Sequence, residues 1–280
     1  MYDDVLLATD GSTIAATAAE QGLAIAGRFG SDVHVLSVVD DRGRNAVREP
    51  MRARCRRSVE DLAVEATDRN LAVETTVREG SPTREILAYA DDRDVDLLVV
   101  GTRGRSGLGR LSLGSTALGV IRAARRPVLS AGPDVWDVSD PLEKILVATD
   151  GRPGVDAAVD QAIGLADAYD ATVRVLSVAD ETRARSETAR EAFERAAEKA
   201  TNEVAVRAAD RGVGVVQAVE RGRPSAEILA YAEAHAVDLL VMGTEGRSTL
   251  ERVVVGSVSQ RVVSDAPVPV MTVRTVDDEA

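Results

Sequence analysis

The sequence predicts an α/β protein made of two tandem copies of one domain, each a five-stranded parallel sheet flanked by helices. Three observations lead there. The chain has 280 residues, and at roughly 100–200 residues per domain this length suits two domains. Short apolar runs alternate with longer stretches of helical periodicity, the pattern of a parallel sheet with right-handed helical crossovers. The same segments also recur in the same order about 140 residues apart: VLLATDG at Val5–Gly11 and ILVATDG at Ile145–Gly151, VLSV at Val35–Val38 and Val175–Val178, ILAYA at Ile86–Ala90 and Ile228–Ala232, VDLLV at Val95–Val99 and Val237–Val241. A repeat of that length is a duplicated domain and not a solenoid unit.

Each element of the first copy can be justified in turn. Val5–Thr9 is a short apolar run, as expected of a strand buried on both faces. Ser12–Arg28 places Ala and Ile at helical spacing, and Val33–Val39 is a second strand. Arg48–Arg69 is a long charged helix whose Val59, Leu62, Ala63 and Ala66 fall on one stripe. Ala72–Val77 is the third strand, and Pro82 opens the third helix, where its missing N–H costs nothing. Val95–Val100, Ser115–Ala124 and Pro127–Ser130 complete the copy as strand, helix and strand. The second copy repeats the series. Two prolines, a glycine and several aspartates mark Ala131–Pro141 as a connector. This gives domains at 1–132 and 142–280 joined by 133–141, with Trp136, the only tryptophan, expected to pin the connector to a domain surface.

Composition narrows the function. Hydrophobic residues form 45% of the chain, enough for ordinary cores. No run approaches the roughly 18 apolar residues of a membrane span, and the N-terminus carries no signal-peptide pattern, so a cytoplasmic location is expected. The net charge of −12 argues against sequence-blind binding to nucleic acid or anionic membrane. Lys144 and Lys199 are the only lysines, and aromatics are 2%. Acidic surplus, scarce lysine and few aromatics resemble proteins of a high-salt cytoplasm, where a short Debye length tolerates self-repulsion, although a GC-rich genome also favours arginine. Cys55 has no partner for a disulfide or a zinc pattern. It reads as an inert helix-face cysteine, with Arg54, Arg56 and Arg57 beside it.

The chemistry-bearing motif lies between the fourth strand and the fourth helix. Gly101-Thr-Arg-Gly104 is followed by nine residues and Gly114-Ser115; Gly243-Thr-Glu-Gly246 is followed by nine residues and Gly256-Ser257. Glycines let backbone N–H groups approach an anion. The free N–H groups and positive dipole end of the following helix favour phosphate, and the Ser115 and Ser257 hydroxyls can cap the helix or donate to a phosphate oxygen. In a parallel sheet this is where ligands bind, at the carboxyl ends of the strands near a topological switch point.

The two G-x2-G-x9-G-S loops, with ATDG on the first strand of each copy, resemble the universal stress protein family over essentially the whole chain. The resemblance implies two tandem Rossmann-like, adenine nucleotide alpha hydrolase-like domains and, in the ATP-binding branch, a nucleotide in this cleft. It implies that Asp10 and Asp150 face ribose or base, and that Val38 and Val178 offer backbone groups to adenine. Gly101, Gly104, Gly114 and Ser115 would cradle phosphates in one site, and Gly243, Gly246, Gly256 and Ser257 in the other. Mg²⁺ or Mn²⁺ would ride on the phosphates without dedicated protein ligands. Members of the family commonly dimerise through the last strand; here Pro127–Ser130 and Val268–Val273 would pair as an internal pseudo-dimer, with further homodimerisation left open.

The copies are unequal. Ser12 follows Asp10-Gly11 and joins Arg103 as a nucleotide-binding candidate of the first copy, with Arg247 a candidate in the second, where Arg152 follows Asp150-Gly151. The first loop carries Arg103, Arg105 and Arg110; the second carries Arg247 and Arg252 beside Glu245 and Glu251. Tighter nucleotide binding is therefore expected in the first copy. There is no G-x4-G-K-[ST] and no G-x-G-x-x-G after the first strand, which disfavours a P-loop NTPase and a dinucleotide domain. His34 and His235 occupy non-equivalent positions and read as structural. With no placed base, water-orienting glutamine or lysine, any hydrolysis is expected to be slow. Three functions stay open: an ATP-binding regulator in stress response with an unidentified protein partner, a scaffold or sensor of another adenylate such as AMP or cyclic AMP, and a slow ATPase or autophosphorylating protein with Ser115, Ser257 or a loop threonine as acceptor.

Overall fold

The computed structural model describes residues 1–41, 45–104, 113–135, 141–244 and 255–274. The chain divides into two compact units, Met1–Val138 and Ser139–Ala280. In the first, β1 (Asp4–Thr9), α1 (Thr13–Phe29), β2 (Asp32–Asp40), α2 (Asn45–Asp68), β3 (Val73–Gly80), α3 (Pro82–Asp92), β4 (Leu97–Gly101), α4 (Ser115–Ala123) and β5 (Val128–Ala131) follow one another. In the second, β6 (Lys144–Ala148), a 3₁₀ turn at Pro153–Val155, α5 (Asp156–Tyr169), β7 (Thr172–Asp180), α6 (Glu187–Asp210), β8 (Val215–Gly222), α7 (Pro224–Ala234), β9 (Leu239–Gly243), α8 (Ser257–Asp265) and β10 (Val270–Val273) repeat the series.

The five strands of the first unit lie in the order β3-β2-β1-β4-β5, all parallel. Those of the second unit follow β8-β7-β6-β9-β10 in the same sense. In each, the chain steps outward over three strands and then crosses back to the other side of the first, so the switch point falls between β1 and β4, or β6 and β9. Val5, Leu6 and Leu7 on β1 and Ile145, Leu146 and Val147 on β6 are sealed from solvent. Strands covered on both faces need such continuous apolar runs.

The third strand of the first unit extends past the expected Val77 to Gly80, because its polar end still pairs with β2 up to Asp40↔Gly80. Backbone pairing carries the strand beyond the stretch that an apolar pattern marks. The first-unit helix expected from Arg48 begins at Asn45.

The repeated motifs hold the sheet together. Asp96 of the first VDLLV accepts from the N–H groups of Asp3 and Asp4 at 2.7 and 3.0 Å, and Asp238 of the second accepts from Glu143 and Lys144, both at 2.8 Å. Tyr89 of the first ILAYA bonds His34 Nδ1 at 3.1 Å, and Tyr231 of the second accepts from Arg174 at 3.1 Å. His34 also meets Asp4 at 2.8 Å. The imidazole is thus a buried structural group on β2, and His235 is the C-cap of α7, its ring tilted against that of Tyr231. No helix among the described residues is long and apolar enough to cross a membrane.

Candidate functional site

At the carboxyl end of the first sheet, the Thr-Asp-Gly turn is built the same way in both units. Thr9 Oγ1 accepts from Gly11 N–H and Thr149 Oγ1 from Gly151 N–H, each at 3.1 Å. Both glycines have φ near +73°, which L side chains rarely adopt. Asp10 Oδ1 then accepts from Ser12 N–H at 3.0 Å, and Asp150 Oδ1 from Arg152 N–H at 3.3 Å. Each aspartate is thus anchored through Oδ1 at the strand end and is exposed to solvent.

At the switch point Gly101 is fixed by close approach of backbone, and Gly104 abuts a side chain. A Cβ on Gly101 would lie 3.0 Å from Ala15 N and 3.1 Å from Ala15 Cα, backbone atoms of the first turn of α1. A Cβ on Gly104 would lie 2.6 Å from Asp10 Oδ2. Gly104 therefore comes up against the aspartate of β1, which closes one side of the crevice. After the loop the chain returns through Gly114, whose N–H donates to Thr102 O at 2.8 Å; Gly256 N–H donates to Thr244 O at 3.0 Å.

Gly114 and Gly256, not the serines, occupy the cap positions of α4 and α8, with φ near −60° and no side-chain cap. Ser115 and Ser257 are the first helical residues and are exposed, so the capping role open to them in the sequence does not apply. The first N–H groups of a helix have no intrahelical partner, and the cap glycines have no side chain to supply one.

These elements enclose a cavity of about 670 Å³, within the range of about 300–1,000 Å³ typical of small-ligand sites. Asp10, Val38, Gly101, Arg103, Gly104, Gly114 and Ser115 all line it. Arg103 is buried in its wall. Ser12 is the exception. Its hydroxyl caps α1, accepting from Ala15 N–H at 3.2 Å, and it does not line the cavity.

In the second unit Asp150, Val178, Gly243, Gly256 and Ser257 take the corresponding places at the strand ends and the start of α8. A Cβ on Gly243 would lie 3.0 Å from Gly154 O. Arg152 turns back onto its own turn, its Nε 3.3 Å from Asp150 Oδ2. Gly246 and Arg247 lie outside the described residues, as do Trp136, Arg105, Arg110, Glu245, Glu251 and Arg252.

The family model described as the universal stress protein family matches residues 1–131 and again 141–274. The chain belongs to the universal stress protein family. Two universal stress protein domains thus account for nearly all of it. A universal stress protein of Methanocaldococcus jannaschii is 33% identical over 138 residues, which is 46% of this chain and 81% of that protein. One of Mycolicibacterium smegmatis is 29% identical over 245 residues, covering 86% of this chain and 79% of that one, so it too extends over both domains. The crystal structure of a universal stress protein from Archaeoglobus fulgidus shares the fold, with a TM-score of 0.77 at 24% identity, over 99% of this chain and 97% of that one.

Part of the cavity of the first universal stress protein domain was not visible in the sequence. α2 contributes Met51, Arg54 and Cys55, and α3 contributes Pro82 and Ile86. Cys55 is therefore a buried residue of the cavity wall and not a bystander on a helix face. The one available signal was helical spacing: Met51, Arg54, Cys55 and Ser58 fall on one stripe of α2. Nothing in that stripe tells that α2 leans over the strand ends.

Proposed function

We propose that this protein is an ATP-binding universal stress protein with a regulatory role in stress response, holding the nucleotide in the cavity of its first domain. The observation that carries this is the convergence of Asp10, Val38, Arg103 and the loop glycines on one nucleotide-sized cavity beside the glycine-capped start of α4. Adenine would lie against the end of β2 at Val38, ribose beside Asp10, and the phosphates along Gly101, Arg103 and Gly104 towards Gly114 and Ser115. The chain's contribution is binding and orientation: helix N–H groups and dipole for the phosphates, and a guanidinium with planar donors for their charge.

Asp10 and Asp40 line the cavity, and among the described residues no three His, Cys, Asp or Glu side chains cluster to hold a metal. That donor set fits a Mg²⁺ or Mn²⁺ ion carried chiefly by phosphate oxygens and water. No lysine lies near either glycine loop in the sequence, so hydrolysis would be slow. The second domain would hold a weaker site, because Arg152 already engages Asp150. Occupancy regulates only if a protein partner prefers one state of the loops, since equal affinity for both shifts nothing. The pairing of the two last strands, any association of whole chains and a cytoplasmic location belong to the same proposal, and sedimentation with and without ATP tests the association.

The test is mass spectrometry of small molecules released from protein purified in high salt without added nucleotide, followed by titration with ATP, ADP, AMP and cyclic AMP. ATP at one or two equivalents is expected. Cys55 is the only cysteine and lines the first cavity, so protection of its thiol from a small disulfide reagent reports that domain alone. No released nucleotide, no uptake of ATP with Mg²⁺ and no protection would refute the function. The acidic surplus also suits a high-salt cytoplasm, and the melting temperature is expected to rise with salt; unfolding favoured by high salt would rule that out.

A further inference from the structure

The wall that α2 gives to the first cavity is not explained by the glycine loop. Arg54 lines the cavity and is half-buried. Its guanidinium has no ion pair with any other described residue, in a chain with 46 acidic residues against 34 basic ones. Two residues away, Arg52 pairs with Glu79 and lies 3.6 Å from Glu49. A cation partly withdrawn from water, with no ion pair among the described residues, is favoured there by an anion that arrives in the cavity.

Its place in the fold says which part of a nucleotide it can meet. Ser58 Oγ donates to Arg54 O at 3.0 Å, one turn along α2. A Cβ on Gly11 would collide with that same Ser58 Oγ, so this turn of α2 rests on the Asp10–Gly11 turn. Gly104 comes up to Asp10 from the other side, its Cβ position 2.6 Å from Oδ2. One continuous series of contacts therefore joins the Arg54 turn, the end of β1 and the glycine loop. In the second domain Gly151 makes the equivalent approach to Ala200, with a Cβ position 2.9 Å from the Ala200 Cβ. Matching Ser58 with Ala200 sets Arg54 opposite Ala196 and Cys55 opposite Ala197.

We propose that Arg54 is a ligand-contacting residue of the first domain, its guanidinium pairing with a phosphate group of the bound adenine nucleotide, and that the second domain has no counterpart. This rests on the ATP-binding function proposed above and extends it to a residue outside the glycine loop. Arg54 and Arg103 would then approach the phosphates from the two walls of one crevice.

The experiment compares Arg54→Ala, Arg54→Gln and Arg54→Lys with the unaltered chain, using Arg56→Ala on the exposed side of α2 as control. Affinity for ATP with Mg²⁺ and for adenosine is read by calorimetry, with Cys55 protection reporting the first domain. Loss of one charge-assisted contact is expected to weaken ATP binding roughly tenfold in Arg54→Ala and Arg54→Gln. Adenosine binding should change less than about twofold, and Arg54→Lys should recover part of the ATP affinity. Arg56→Ala should bind ATP unchanged. First-domain ATP affinity that survives Arg54→Ala overturns the proposal and leaves ATP binding intact. Equal losses for ATP and adenosine, with a lower melting temperature, overturn it in favour of a packing role. If the unaltered chain takes up no ATP and Cys55 is not protected, the ATP-binding function fails and this proposal falls with it.

Discussion

The two domains are built alike where the fold needs it and differ where the first encloses its cavity. Both place a Thr-Asp-Gly turn with a left-handed glycine at the end of the central strand and a Gly-Ser pair at the start of the fourth helix. Both tie the start of the central strand to the aspartate of VDLLV. One exposed ion pair between the long helix and the third strand is kept with its charges inverted: Arg52 pairs with Glu79 in the first domain, and Glu194 with Arg221 at 2.6 Å in the second. Glu194 holds the Arg221 guanidinium above its usual pKa, first through the side-chain hydrogen bond and then through its charge. The cavity wall shows no such exchange. Arg54 and Cys55, which line the first cavity, stand opposite Ala196 and Ala197. A scaffold contact survives any substitution that keeps its complementarity, whereas a ligand contact is lost with its functional group.

The largest expected effect abolishes the difference by disabling the first domain. Gly104→Asp places a side chain where even a Cβ would lie 2.6 Å from Asp10 Oδ2, and it adds a second carboxylate beside the proposed phosphate site. First-domain ATP affinity is expected to fall by roughly a hundredfold or more, about 2.7 kcal/mol, with protection of Cys55 lost. Retained protection would show that ATP does not use this crevice.

A second effect measures what the shared scaffold costs when it is breached. Gly101→Ala meets backbone atoms of α1 at 3.0 Å and Gly243→Ala meets Gly154 O at 3.0 Å, neither of which can rotate away. Each is expected to lower stability by about 1–3 kcal/mol, read by thermal denaturation. A neutral Gly243→Ala with a costly Gly101→Ala would mean that the two switch points are not equally tight.

The smallest effect sharpens the comparison of ion pairs. Arg52→Glu sets a carboxylate against Glu79 near Glu49 and should cost less than about 1 kcal/mol, more in low salt than in high. The double variant Arg52→Glu with Glu79→Arg reproduces the polarity of the second domain and should recover much of the loss. A double-mutant cycle with no coupling would show that the inverted pair is incidental.

The sequence by itself determined the duplication, the order of strands and helices and the positions of the two glycine loops. These depend on periodicity and on residues with special backbone geometry, which are local properties. Gly101, Arg103, Gly104, Gly114 and Ser115 were legible in a loop of fixed spacing after β4, and Asp10 and Val38 through the resemblance to the family. Only the tertiary structure decided that Ser12 serves its own helix, that glycines and not serines cap α4 and α8, and that α2 brings Met51, Arg54 and Cys55 over the strand ends. An apolar or charged stripe says that one side of a helix is covered, but not by what. That depends on which turn of α2 rests on Gly11, a contact between residues 47 positions apart, and no local pattern in the chain records it.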